Sequence, residues 1–109
     1  MIDSYIQNEA KKDFKEWTYE GLSFLLQQEQ FREMAVTALS KFLILNQSVE
    51  FAYNSLYYEV FESADSGYVV NLYSSDEKDE YAEFLEENLV DGGLCTGSAK
   101  DAIKFMLDR

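Results

Sequence analysis

Apolar residues in the first half of the chain recur at intervals of three and four. Ile6, Ala10, Phe14 and Trp17 form one such row, with Lys11, Lys12, Asp13 and Lys15 on the other face and Asp3 or Ser4 placed to cap it. Thr18 is the cap of a second helical segment carrying Leu22, Leu25 and Leu26. Met34, Ala35, Ala38, Leu39, Phe42 and Leu43 continue that period toward Asn46, with a break near Gln28 to Gln30. The chain has no proline, so glycines, caps and changes of period mark the boundaries.

Past Ser48 the period becomes alternating. Tyr58 and Val60, with Leu56, face one way, while Tyr57, Glu59 and Phe61 face the other, which describes a strand. Ser63, Ala64, Asp65, Ser66 and Gly67 supply a hairpin connection, and the Y-V-V-N-L-Y run from Tyr68 to Tyr73 has the β-branched and aromatic residues that strands favour. A preceding stretch around Val49 to Tyr53 fits either strand or helix, because short apolar runs do not discriminate.

From Asp76 to Asp91 the spacing of Tyr81, Phe84, Leu85 and Leu89 predicts an amphipathic helix capped by Ser75 or Asp76 and ended by Asp91-Gly92-Gly93. Ser98 with Asp101 forms a capping box that opens a last helix, with Ala102, Ile103, Met106 and Leu107 inward. The fold class that follows is α+β, one domain over residues 1–109. Helices pack on one face of a small antiparallel sheet, a hairpin or three strands, in the order α-α-(β)-β-β-α-α. The expected core comprises Ile6, Phe14, Trp17, Leu22, Leu25, Leu39, Phe42, Val60, Val70, Leu72, Leu85, Ile103 and Met106.

Charge changes this picture most in the predicted acidic helix. Asp76, Glu77, Asp79, Glu80, Glu83, Glu86, Glu87 and Asp91 stand there against the single base Lys78. The whole chain carries −12, with seven acids and five bases in residues 1–48, twelve acids and one base in 49–97, and two acids and three bases in 98–109. The three sums are −2, −11 and +1, so one side of the fold is strongly negative. A surface of that sign excludes direct binding to DNA, RNA or anionic membrane, which need a basic footprint. Its complement is a cationic surface on a protein partner.

Sixteen Phe and Tyr residues, one Trp and 47% apolar content distinguish the chain from an acidic disordered tail. Cys95 is the only cysteine, so no intrachain disulfide forms, and the N-terminal residues do not read as a secretory signal. No apolar run approaches a membrane span. A cytoplasmic setting is expected.

The chemistry is defined by what is missing. Without histidine there is neither a Ser-His or Cys-His pairing nor the commonest transition-metal ligand. Gly92 to Ser98 resembles half of a phosphate-binding loop but lacks the Lys that completes one, and a glycine-rich turn explains it as well. The acids do not follow the calcium-loop spacing, and Cys95 beside Leu94 reads as a small buried apolar residue. Glu59 with Glu62, or Glu83 with Glu86, is a carboxylate pair of the kind used in acid-base catalysis, although a solvated surface accounts for both. No enzyme activity, cofactor or metal is expected.

In length, charge pattern and lack of catalytic equipment, the chain resembles the acidic anti-CRISPR and anti-restriction proteins of phages and mobile elements. The stretch from Asp91 to Leu107 also resembles the ends of small phage and prophage proteins. This resemblance implies an inhibitor that imitates nucleic acid, a DNA mimic occupying the basic DNA-binding or RNA-binding channel of a nuclease or CRISPR complex in the host cytoplasm. Glu59, Glu62, Asp76, Glu77, Asp79, Glu80, Glu83, Glu86, Glu87 and Asp91 are then its partner-binding residues. Helical carboxylates three and four apart, with Cβ atoms about 5 to 6 Å apart, would imitate a phosphate row. The alternative is a protein-protein interaction module or homo-oligomer that uses an aromatic interface, with the acids serving solubility.

Overall fold

The computed structural model describes residues 17–107. The first predicted helix, with Ile6, Ala10 and Phe14, lies outside the described residues. Within them, three helices and a four-stranded antiparallel sheet form an α+β fold. Helix α1 spans Tyr19–Leu26 and starts where expected, with Thr18 Oγ1 accepting from the Gly21 N–H at 3.0 Å. The anticipated break is an extended Gln28 followed by a 3-10 turn at Glu29–Phe31. Helix α2, Arg32–Asn46, ends at Gln47, whose left-handed backbone (φ 62°) turns the chain directly into the sheet.

Strands β1 (Ser48–Tyr53), β2 (Leu56–Glu62), β3 (Tyr68–Tyr73) and β4 (Leu89–Cys95) lie side by side in chain order. The ambiguous stretch near Val49 is therefore a strand. Asn54 and Ser55 join β1 to β2, both with positive φ (54° and 67°), the twist that a two-residue hairpin needs. The β2–β3 connection closes with the Ser63 N–H donating to the Gly67 carbonyl at 2.9 Å.

The helices cover one sheet face. Val49, Phe51, Tyr58, Val60, Val70 and Leu72 are buried there against Leu22, Leu25, Leu26, Leu39, Leu43 and Ile103. Phe51 stacks on Tyr58 at 4.8 Å, and the Tyr58 hydroxyl donates to the Met106 carbonyl, so the largest fully buried side chain keeps its polar end satisfied. Trp17, Phe42 and Met106 are half-buried at the margin of this core. Helix α3, Ala99–Lys104, carries the expected capping box of Ser98 and Asp101 and packs against α2. No helix among the described residues is long and apolar enough to cross a membrane.

The acidic helix does not form. Residues 74–85 follow an irregular path, Glu86–Asn88 is a single 3-10 turn, and Asp91-Gly92-Gly93 lies inside β4 instead of ending a helix. Asp79 explains much of the departure. Its Oδ1 accepts from the backbone N–H groups of Tyr81 (2.8 Å) and Glu83 (3.1 Å), and its own N–H donates to the Glu83 carbonyl at 2.9 Å. A short acidic side chain that takes up nearby amides offers the backbone an alternative to the helical ladder. The turn is closed with Ala82 at φ 61° and an antiparallel bridge between Lys78 and Phe84. A helix would also have set Glu83, Glu86 and Glu87 against one another. The apolar stripe loses its meaning with it: Tyr81 is 76% exposed and Leu85 only half-buried, not core.

Candidate functional site

The acidic segment folds back over the sheet face that the helices leave open. Phe84 stacks on Tyr73 with ring centroids 4.6 Å apart, anchoring the loop to β3. The Lys78 ammonium pairs with Glu50 on β1 and lies 4.7 Å from the centre of the Phe84 ring. One aromatic pair and one ion pair thus hold the loop down, while Asp76, Glu77, Asp79, Glu80, Glu83, Glu86 and Glu87 are all exposed.

The other three predicted site residues behave differently. Glu59 is half-buried on the outer face of β2 and accepts at Oε1 from Asn71 Nδ2 (3.3 Å) and the Tyr73 hydroxyl (3.2 Å), so it is a structural acceptor beneath the loop. Burial, reinforced by the Glu59 charge, pushes the Tyr73 phenol up to about 12. Asp91 is half-buried in β4, where its Oδ1 accepts from the Gly92 N–H. Glu62 is exposed at the far end of β2, five residues beyond Tyr57, or about 17 Å along the strand. Neither carboxylate pair considered for acid-base work is enclosed. Among the described residues no three His, Cys, Asp or Glu side chains are grouped to hold a metal ion, and Cys95 is buried at the end of β4.

Sequence reasoning missed the side of this site formed by α1 and β1. The outer N–H and C=O of Ala52, on the edge strand, are taken by α1 and the residue that caps its end: the Ala52 N–H donates to Ser23 Oγ at 2.8 Å, and Gln27 Nε2 donates to the Ala52 carbonyl at 3.3 Å. Between α1, β1 and the acidic loop runs a groove of about 440 Å³. Tyr19 and Glu20 line its helical side, Glu50, Ala52 and Tyr57 its floor, and Asp76, Lys78 and Phe84 its loop side. Alternation along β1 was the available signal, since it places Glu50 and Ala52 on the outer face beside Glu59 and Tyr57.

The basic residues near the helices do not offset this charge. Lys100 and Lys104 both pair with Glu33, at 2.7 and 3.2 Å, and their hydrogen bonds, Lys100 first, hold the Glu33 carboxyl below its usual value. The opposite edge of the sheet is apolar: on β4, Leu89, Val90 and Leu94 are 42%, 49% and 53% exposed. No protein-family model, curated protein or solved structure matches the chain.

Proposed function

We propose that this protein is a non-enzymatic inhibitor that imitates nucleic acid, using its acidic loop to occupy the basic nucleic-acid channel of a protein target such as a host defence nuclease. The observation that carries the reading is the arrangement of charge on the loop. Seven carboxylates between Asp76 and Glu87 are exposed, while the charge of the only base of that segment, Lys78, is paired with Glu50 on β1. Folding the segment back at Asp79 concentrates the acids more than an extended chain would, and such a patch seeks a basic counterpart. In this reading an anchored loop, rather than a helix, carries the charges that stand in for phosphates.

The test is inhibition of DNA or RNA cleavage by purified restriction and CRISPR nuclease complexes. Inhibition that weakens as salt rises and is relieved by added nucleic acid supports mimicry. Inhibition indifferent to both rejects it. A second reading, a protein-protein module or homo-oligomer held by apolar contacts, draws on the exposed Leu89, Val90 and Leu94 of edge strand β4. Sedimentation of the parent protein and of Leu94→Asp separates the two readings, because self-association through β4 is lost in the variant.

A further inference from the structure

We propose that the groove between α1, β1 and the acidic loop is a binding site for an arginine side chain presented by a basic protein partner. The inference rests on the acidic-surface reading above and gives that surface an anchor point. Three carboxylates, Glu20, Glu50 and Asp76, and the rings of Tyr57 and Phe84 border the groove, against one cation, Lys78. Its local balance of acids and bases is therefore −2. Among the described residues neither Glu20 nor Asp76 has a cationic partner, so the groove retains charge to offer after Lys78 has paired with Glu50.

The groove already recognises a cation. Lys78 meets a carboxylate on one side and the Phe84 ring on the other, the pair of contacts that a guanidinium exploits better than an ammonium. A guanidinium is planar, donates two parallel N–H groups to one carboxylate and lies flat on an aromatic face, and it is less strongly hydrated. Elsewhere in the fold the Arg32 guanidinium lies 5.4 Å from the centre of the Tyr53 ring. A groove of about 440 Å³ accommodates an arginine side chain, being within the roughly 300 to 1,000 Å³ of small-ligand sites. Lys78 acts as a tethered occupant, which an incoming arginine displaces from Glu50. Proteins that grip phosphates carry arginines for that purpose, so a target deprived of its nucleic acid presents the required side chain.

The experiment is a titration of isotope-labelled protein with the capped tripeptide acetyl-Gly-Arg-Gly-amide, followed by amide chemical shifts, with lysine and citrulline peptides as controls. Saturating shifts confined to Ser23, Ala52, Tyr57, Phe84 and their neighbours are expected for arginine, weaker ones for lysine and none for citrulline. Lys78→Met keeps the aliphatic stem that helps hold the loop on Phe84 and removes the charge that competes for Glu50, so it should raise arginine affinity about two- to fivefold. Glu50→Gln should lower it, and a dispersed spectrum verifies the fold of each variant. Shifts spread without saturation over acids remote from the groove, equal binding of citrulline, or unchanged or weaker binding by folded Lys78→Met each overturn the proposal. Because the probe needs no target, the two readings fail separately. Arginine binding without competition at any nuclease sinks the mimicry, and salt-sensitive inhibition without arginine binding sinks only the groove.

Discussion

Glu50 and Glu59 stand directly opposite each other on β1 and β2, on the sheet face that the helices leave open. Like charges in that position are destabilising, and each carboxylate has its own relief. Lys78 neutralises Glu50, while Asn71 and Tyr73 donate to Glu59. Because Lys78 belongs to the acidic loop, the same contact that settles the sheet also fixes the loop.

Lys78→Ala should therefore destabilise the protein and loosen the loop together. The Lys78 and Glu50 side chains are 32% and 36% exposed, so the loss is modest, about 0.5 to 1 kcal/mol at low salt. Urea unfolding should show that difference shrinking as salt is added. Adding Glu50→Gln to Lys78→Ala should recover most of it, since no unpaired charge then faces Glu59. Additive losses in the double variant would contradict this account.

Gly67 is required by the β2–β3 turn. Its backbone is left-handed (φ 80°), and a Cβ there would lie 2.3 Å from the Cys95 carbonyl oxygen, on the neighbouring end of β4. Gly67→Ala adds backbone strain to a collision with main chain that has no flexible end to move. A loss of about 1 to 3 kcal/mol in chemical denaturation is expected. An unchanged midpoint would mean that the turn is made differently.

Tyr73 links stability to alkaline pH. Its phenol is raised from 10.0 to about 12, first by burial and then by Glu59. A folded value above the unfolded one favours the native state in the neutral form. That contribution is complete below pH 10 and is lost as pH rises through about 12. Spectrophotometric titration should reveal a late tyrosinate that Tyr73→Phe lacks, and the variant should lose less stability across this interval than the parent.

The parts legible in the sequence are those where one signal acted alone. Alternation from about Leu56 to Glu62 and from Tyr68 to Ser74 faced no competing period; β2 spans the first range, and β3 stops one residue short of the second, at Tyr73. The Thr18 cap and the Ser98 capping box are local chemistry and are present as read. The acidic segment carried two conflicting signals. Tyr81, Phe84, Leu85 and Leu89 have helical spacing, yet Asp79 captures the amides of Tyr81 and Glu83 in a turn, and Phe84 finds its partner on Tyr73 across the sheet. Strand β4 was hidden for a related reason. Leu89-Val90 before Asp-Gly-Gly reads as a helix end, and only pairing with β3, a tertiary event, makes it a strand. Seven of the ten predicted partner-binding acids do share one surface segment, because charge excluded them from the core whatever the backbone did. Glu59 and Asp91 were beyond reach, since the partners of Glu59 lie across the sheet on β3 and Asp91 is placed by the pairing of β4.

Reversing Glu80, Glu83 and Glu87 together to Lys is the sharpest test of the proposed function. All three side chains are exposed and outside the contacts of Lys78, Asp79 and Phe84 that hold the loop, so the fold should persist. The net charge changes from −12 to −6, since each of the three replacements adds two units. An isolated exposed ion pair contributes only about 0.2 to 1 kcal/mol, so each single reversal should weaken inhibition a few-fold, through a slower and more salt-sensitive association. Acting on one basic channel, the three together should reduce inhibition by more than about tenfold at low salt. Interaction through apolar contacts predicts the opposite order, with Leu94→Ala on β4 more damaging than any acidic reversal. Inhibition measured for both variants, with circular dichroism to verify their folds, decides between them: a triple reversal as potent as the parent excludes mimicry by the loop.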